Sequence, residues 1–130
     1  MASIFTKIIE REIPAYIVAE DSKHIAFLDI NPLMIGHTLV VPKKEVDYIY
    51  DLPDNDLSDL NLFAKKVASA IKKSVPCERI GVTVMGLEVP HTHVHLIPIN
   101  SMDDMNFSRA KLSLSKEVME ETAQKIKSHL

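Results

Sequence analysis

A chain of 130 residues, 46% apolar and 25% charged, is long enough to bury its own core, and it has no run of the about 20 apolar residues that cross a bilayer. Its net charge of −3, with no basic block, disfavours binding to nucleic acid polymers. A lone cysteine, Cys77, excludes an intrachain disulfide and a cysteine-rich zinc site, and MASIFTKIIEREIP lacks the pattern of a secretory signal, so one cytoplasmic domain over residues 1–130 is expected.

SIFTKIIERE predicts a short helix with Ile4, Ile8 and Ile9 near helical spacing and Phe5 on an adjoining face, ended by Pro14. AYIVAED and HIAFLDI read as two strands joined by a DSK hairpin turn. NPLMIG is a loop, and HTLVVP a third strand that stops at Pro42. The main helix lies in DLPDNDLSDLNLFAKKVASAIKKS and opens near Asp54 or Asn55. Leu60, Ala64, Val67 and Ile71 form its buried stripe, while Lys65, Lys66, Lys72 and Lys73 stay in water. Cys77 follows as a small filler at the junction with RIGVTVMG, the fourth strand, and HTHVHLIPI supplies a fifth. An irregular tail leads to a final helix from near Ser115, with Val118, Thr122, Ile126 and Leu130 on one face. Several strands around one long helix predict an antiparallel α+β fold. A sheet this small has edges to protect, which dimerisation would answer.

VPHTHVHLIP, residues 89–98, holds three of the six histidines at alternate positions. On a strand His91, His93 and His95 share one face at about 6.6 Å per step, so neighbouring rings can flank one small ligand. Three readings compete. A merely wet sheet face accounts for one or two such residues better than for three. Neutral imidazoles two apart can share a Zn²⁺ at about 2.1 Å per bond, completed by His37, His95, Asp29 or Glu88. Phosphorus chemistry is the third: a neutral imidazole attacks a phosphoryl centre, and a second protonates the departing group or neutralises its oxygens. Crowding three imidazoles keeps some of them uncharged and couples their titrations. The middle residue, His93, is then best placed as nucleophile.

HTHVHLIP matches the His-φ-His-φ-His-φ-φ signature of the histidine triad (HIT) superfamily of nucleotide hydrolases and transferases. IFTKIIEREIPAYIVAED, AFLDINP and GHTLVVPKK resemble, in order, that family's N-terminal segment, its ribose-binding strand end and the strand bearing its fourth histidine. The resemblance covers roughly residues 3–99, is nearest to the bacterial Hint-type hydrolases, and leaves residues 100–130 as a divergent tail with a C-terminal helix. It implies a HIT-like fold: a five-stranded antiparallel sheet with one long helix and short N- and C-terminal helices, usually as a homodimer whose sheets join. It also implies attack by His93 on the α-phosphorus of a nucleoside phosphoramidate or dinucleoside polyphosphate, then hydrolysis of a nucleotidyl-histidine. No metal or other cofactor is required for this chemistry. By the same carry-over the His91 carbonyl accepts from the non-attacking nitrogen of His93, His95 contacts phosphate oxygens or the leaving group, and His37 pairs with His91. Asp29, with Ile30 beside it, falls where ribose hydroxyls are held; Phe5, Ile8 and Phe27 are candidates for the base pocket, and the Gly86 backbone for the phosphates of a purine nucleotide.

Plainer roles stand beside these: a loop-edge His37, a turn-capping Asp29, a core role for Phe5, Ile8, Phe27 and Leu28, solvated Lys43 and Lys44, and surface His24 and His129. Two stretches depart from the family pattern. MGLEVPHTH is a short connection with Met85 and Leu87 where polar phosphate donors are usual, which also suits a nucleotide-binding regulatory module with little turnover. In the long tail, Arg109 and Lys111 are expected on the outside of the molecule.

Overall fold

This computed structural model describes residues 2–130. Strands β1 (Ile17–Glu20), β2 (His24–Leu28), β3 (Thr38–Pro42), β4 (Arg79–Thr83) and β5 (Val94–Ile99) form one antiparallel sheet in the order β1-β2-β3-β5-β4. Helices α1 (Ile4–Ile9), α2 (Asp54–Ser74) and α3 (Lys116–Ser128) complete the expected α+β arrangement. The DSK turn closes because Asp21 Oδ1 accepts from Lys23 N at 2.8 Å and His24 N at 2.7 Å, an aspartate mimicking a backbone turn. α2 begins after Pro53 with Asp54 and Asp56 in its first turn and ends with Lys72 and Lys73, charges that oppose the helix dipole at both ends.

Strand alternation decides what each face of the sheet carries. Ala26, Leu28, Val40, Val94 and Leu96 point to the face covered by α2, where they meet Leu60, Phe63, Ala64, Val67 and Ile71. Ile25, Phe27, Leu39 and Val41 point the other way and pack against Phe5 and Ile8 of α1. β2 and β3 are therefore buried on both faces and read as continuous apolar runs. His95 pairs with Leu39, and so lies on the α1 side, beyond the end of that helix's apolar cover. Gly36 turns the chain into β3 at φ 93°, and a Cβ there would stand 2.9 Å from Val75 Cγ2.

Several expectations need correction. α1 stops at Ile9, before Pro14, because Arg11 adopts a left-handed φ of 63°. Its buried pair is Phe5 and Ile8, whereas Ile4 is half exposed. α3 buries Met119, Thr122, Ala123 and Ile126; Val118 sits at the margin of this stripe, and Leu130 lies beyond the helix end, exposed. His24 is buried rather than superficial, stacked on Phe63 at 5.0 Å with Nδ1–H directed at the Asp21 carboxylate. His129 is exposed, as expected. The regular fifth strand starts only at Val94, so His91 and His93 precede it. Among the described residues no helix is long and apolar enough to cross a membrane.

Candidate active site

Residues 89–93 pass over the end of β3 before entering β5, tied down where Thr92 donates to Val46 O from its main-chain N at 2.7 Å and from Oγ1 at 2.6 Å. The proton positions of four histidines then follow from what surrounds them. His91 is fully buried, with Nε2 2.7 Å from Pro42 O and Nδ1 2.7 Å from Ser3 Oγ. A carbonyl only accepts, so Nε2 carries the proton and Nδ1 accepts from the serine hydroxyl. His93 Nδ1 lies 2.8 Å from His91 O, so Nδ1–H donates and Nε2 keeps its lone pair. His37 Nδ1 accepts from Leu33 N at 3.1 Å, which puts its proton on Nε2. That Nε2 stands 3.0 Å from His95 Nδ1, which accepts and leaves His95 with a proton on Nε2.

Every buried side-chain nitrogen and oxygen among the described residues has a partner, so the Nε2 atoms of His93 and His95, which bond no protein group, open to solvent. Both rings border a cavity of about 340 Å³, within the range of small-ligand sites. A lone pair and an N–H donor thus face one space from rings whose centroids are 5.0 Å apart. Phe5 meets His93 edge-on at 4.9 Å on one side, and Phe107 meets His95 at 5.0 Å on the other, so the pair cannot rotate freely.

Burial dominates the electrostatics. It pushes His37 down to about 3 and His95 down to about 4, each helped by a neighbouring histidine, and it lowers His91 as well. Burial also raises Asp29, whose Oδ1 accepts from Asn31 N at 2.8 Å, the expected turn cap. Asp29 Oδ2 lies 3.6 Å from His37 Nε2, but that ring is neutral and its proton is committed to His95, so the contact is not an ion pair. Asp29, His37 and His95 bring three possible ligand atoms within 4.8 Å of one another. As arranged, the two ring nitrogens share a proton instead of converging on a common point, so a metal ion would have to displace that hydrogen bond.

His37, His93 and His95 border the cavity together with Asp29 and Gly86, and His91 is buried behind them, bonded to His93 through its carbonyl. His37 supports His95 and not His91, because it precedes the first residue of β3 whereas His91 contacts Pro42, the last. Phe5 braces His91 and His93, Ile8 and Phe27 lie in the core cluster with it, and Ile30 is 68% exposed and off the wall. The tail overturns one expectation: Lys111 lines the cavity, while Arg109 reaches across to Leu33 O at 2.7 Å. Ser3, Asn31 and Phe107 are additions, as is Glu45, whose Oε1 accepts from Ser3 N at 2.7 Å and Thr6 Oγ1 at 2.6 Å. A serine ahead of an apolar run marks a helix start, which would have located Ser3 but not its contact with His91. Phe107 lies in an aperiodic stretch that carried no signal.

The HIT domain profile matches residues 10–102. An uncharacterized HIT-like protein of Borreliella burgdorferi is 38% identical over 131 residues, spanning 95% of this chain and 94% of its own. An adenosine 5′-monophosphoramidase of Saccharomyces cerevisiae is 40% identical over 99 residues, 75% of this chain and 62% of that one. Among solved structures, a Hit-like protein involved in cell-cycle regulation from Bartonella henselae aligns at TM-score 0.84 and 34% identity, over 98% of this chain and 96% of that chain. With the profile running from the first strand through the alternating histidines and the whole sheet superposing on a solved relative, the chain belongs to the HIT family.

Proposed function

We propose that this protein hydrolyses nucleotides at the α-phosphorus, with a nucleoside phosphoramidate as the leading substrate class and dinucleoside polyphosphates as the next. The observation that carries the reading is the His93 Nδ1–H bond to His91 O at 2.8 Å, which selects the tautomer whose Nε2 lone pair opens to the cavity as nucleophile. Its lone pair forms the bond to phosphorus as the bond to the amine breaks, and the amine leaves with a proton from solvent. Water then attacks the nucleotidyl-histidine; its hydroxyl goes to phosphorus, its proton to solvent, and His93 is restored. The Nε2–H of His95 donates to a phosphate oxygen or to the leaving group, and Asp29 accepts from ribose hydroxyls. The kinship with an adenosine 5′-monophosphoramidase favours a purine base.

A second copy would pair along the open edge at β4, where Val82 is 60% exposed and nearby Leu87 92%. The cytoplasm is the expected compartment, consistent with a single cysteine that has no intrachain partner. A binding module with little turnover is the second reading, favoured by the apolar Met85 and Leu87 on the cavity wall. Mass spectrometry of a quenched reaction with adenosine 5′-phosphoramidate separates the two. An adduct on the peptide bearing residues 91–95, absent in His93→Ala, is expected; AMP binding with neither adduct nor turnover would establish the second reading instead.

A further inference from the structure

We infer that Lys111 is the phosphate anchor of this cavity, delivered by the tail after β5 in place of the polar donors missing from residues 85–90. The inference rests on the phosphoryl-transfer reading above and names the group that holds the anion. Its first support is charge. Lys111 is the one lysine or arginine on the cavity wall, which also carries the acidic Asp29 and Glu88. His37 and His95, held to about 3 and about 4 by burial, bring no charge at neutral pH. Met85 and Leu87 offer no side-chain donor. An anionic substrate entering such a space needs a cation, and an ammonium on a flexible stem suits a phosphate.

The second support is that the tail is built to bring this side chain here. Asp104 Oδ2 accepts from Asn100 N at 2.7 Å and Ser101 N at 3.1 Å, which closes a tight turn straight after β5. Arg109 then ties the strap to the loop before β3, through Leu33 O at 2.7 Å and Asp104 Oδ1 at 3.2 Å, and Leu112 N donates to Pro32 O at 2.8 Å. Between these ties Phe107 sits edge-on to His95 at 5.0 Å and to His37 at 6.2 Å. The third support is the ammonium itself. It donates to Phe107 O at 2.6 Å and Arg109 O at 3.3 Å and stands 5.7 Å from the Phe107 ring centroid, has no carboxylate within ion-pair reach among the described residues, and so keeps one of its three donors free of any oxygen partner.

Calorimetric titration of AMP and of uncharged adenosine into the wild type, Lys111→Gln and Lys111→Arg tests the assignment, together with turnover of adenosine 5′-phosphoramidate. Lys111 is exposed, so both variants fold. Loss of a charge-assisted hydrogen bond predicts about tenfold weaker AMP binding in Lys111→Gln, most of it restored in Lys111→Arg and reduced at high salt, with adenosine unchanged. Equal losses for AMP and adenosine would mean that the residue only shapes the cavity, and the assignment falls. So it does if wild type and Lys111→Gln bind AMP alike, in which case the hydrolase reading survives. A wild type that neither binds AMP nor turns over the phosphoramidate overturns both.

Discussion

Replacing Ser3 with alanine tests how the buried histidine network is held. Ser3 Oγ does two things: it accepts from Thr6 N at 3.0 Å, capping α1, and it donates to His91 Nδ1 at 2.7 Å. Loss of the cap costs about 1 kcal/mol. The second loss leaves His91 Nδ1, in a residue with no solvent exposure, only the long 3.5 Å contact to Thr6 Oγ1, whose proton goes to Glu45 Oε1, at about 1–3 kcal/mol. Together these come to about 2–4 kcal/mol, a large share of the roughly 5–15 kcal/mol that holds an ordinary domain folded. Urea denaturation should show the midpoint falling accordingly at unchanged slope, and thermal melting a drop on the order of 6–14 °C. Because the His91 carbonyl orients His93, kcat should fall with little change in KM. Ser3→Asp separates the two contributions: a carboxylate keeps the cap but cannot donate, so His91 must hold protons on both nitrogens. Its folded pKa then rises, and the stability regained over alanine is present in acid and lost as pH climbs through that raised value. A Ser3→Ala protein within about 1 kcal/mol of wild type, with kcat intact, would refute the reasoning.

Acid should loosen the fold through the same cluster. An unfolded histidine titrates near 6.5, whereas His37 and His95 resist protonation to about 3 and about 4, so the unfolded chain binds more protons in that window. Stability is complete above about pH 6.5 and declines below it by up to about 1.4 kcal/mol per pH unit for each ring. Urea midpoints measured from neutral to mildly acidic pH read this slope, and a flat profile would contradict the burial argument; His95→Asn should make it shallower. Gly36→Ala should destabilise by about 2–4 kcal/mol, since it forces a left-handed residue and places Cβ 2.9 Å from Val75 Cγ2 and 3.2 Å from Pro98 Cγ. A melting temperature equal to wild type would show that the turn relaxes without strain.

How much of this was legible beforehand depended on whether the information was local. The strands around Val18, Ile25, Val40 and Ile97 follow from β-branched runs and turn residues, and the stripe Leu60, Ala64, Val67, Ile71 follows from helical period; each is a property of a few consecutive residues. The same holds for the alternation of His91, His93 and His95, whereas the hydrogen bond from His93 back to the carbonyl two residues earlier came from the family resemblance. His24 was misplaced because its shielding comes from Phe63 across the interface with α2. α3 buries Thr122 and Ile126 as expected but adds Met119 and Ala123 in place of Val118 and Leu130, because its stripe is chosen by the surface it meets.

What the chain alone determined, then, is the sheet, its covering helix and a row of imidazoles, since periodicity and side-chain type act over a few neighbouring residues. Only the tertiary structure decided which protons His91 and His95 carry, that His37 serves His95, that Ser3 holds His91, and that Lys111 faces the cavity. Those choices join residues 58 and 88 positions apart, or depend on where a tail is tied down. No local pattern encodes them, because the partner that selects each tautomer or position exists only once the chain has closed on itself.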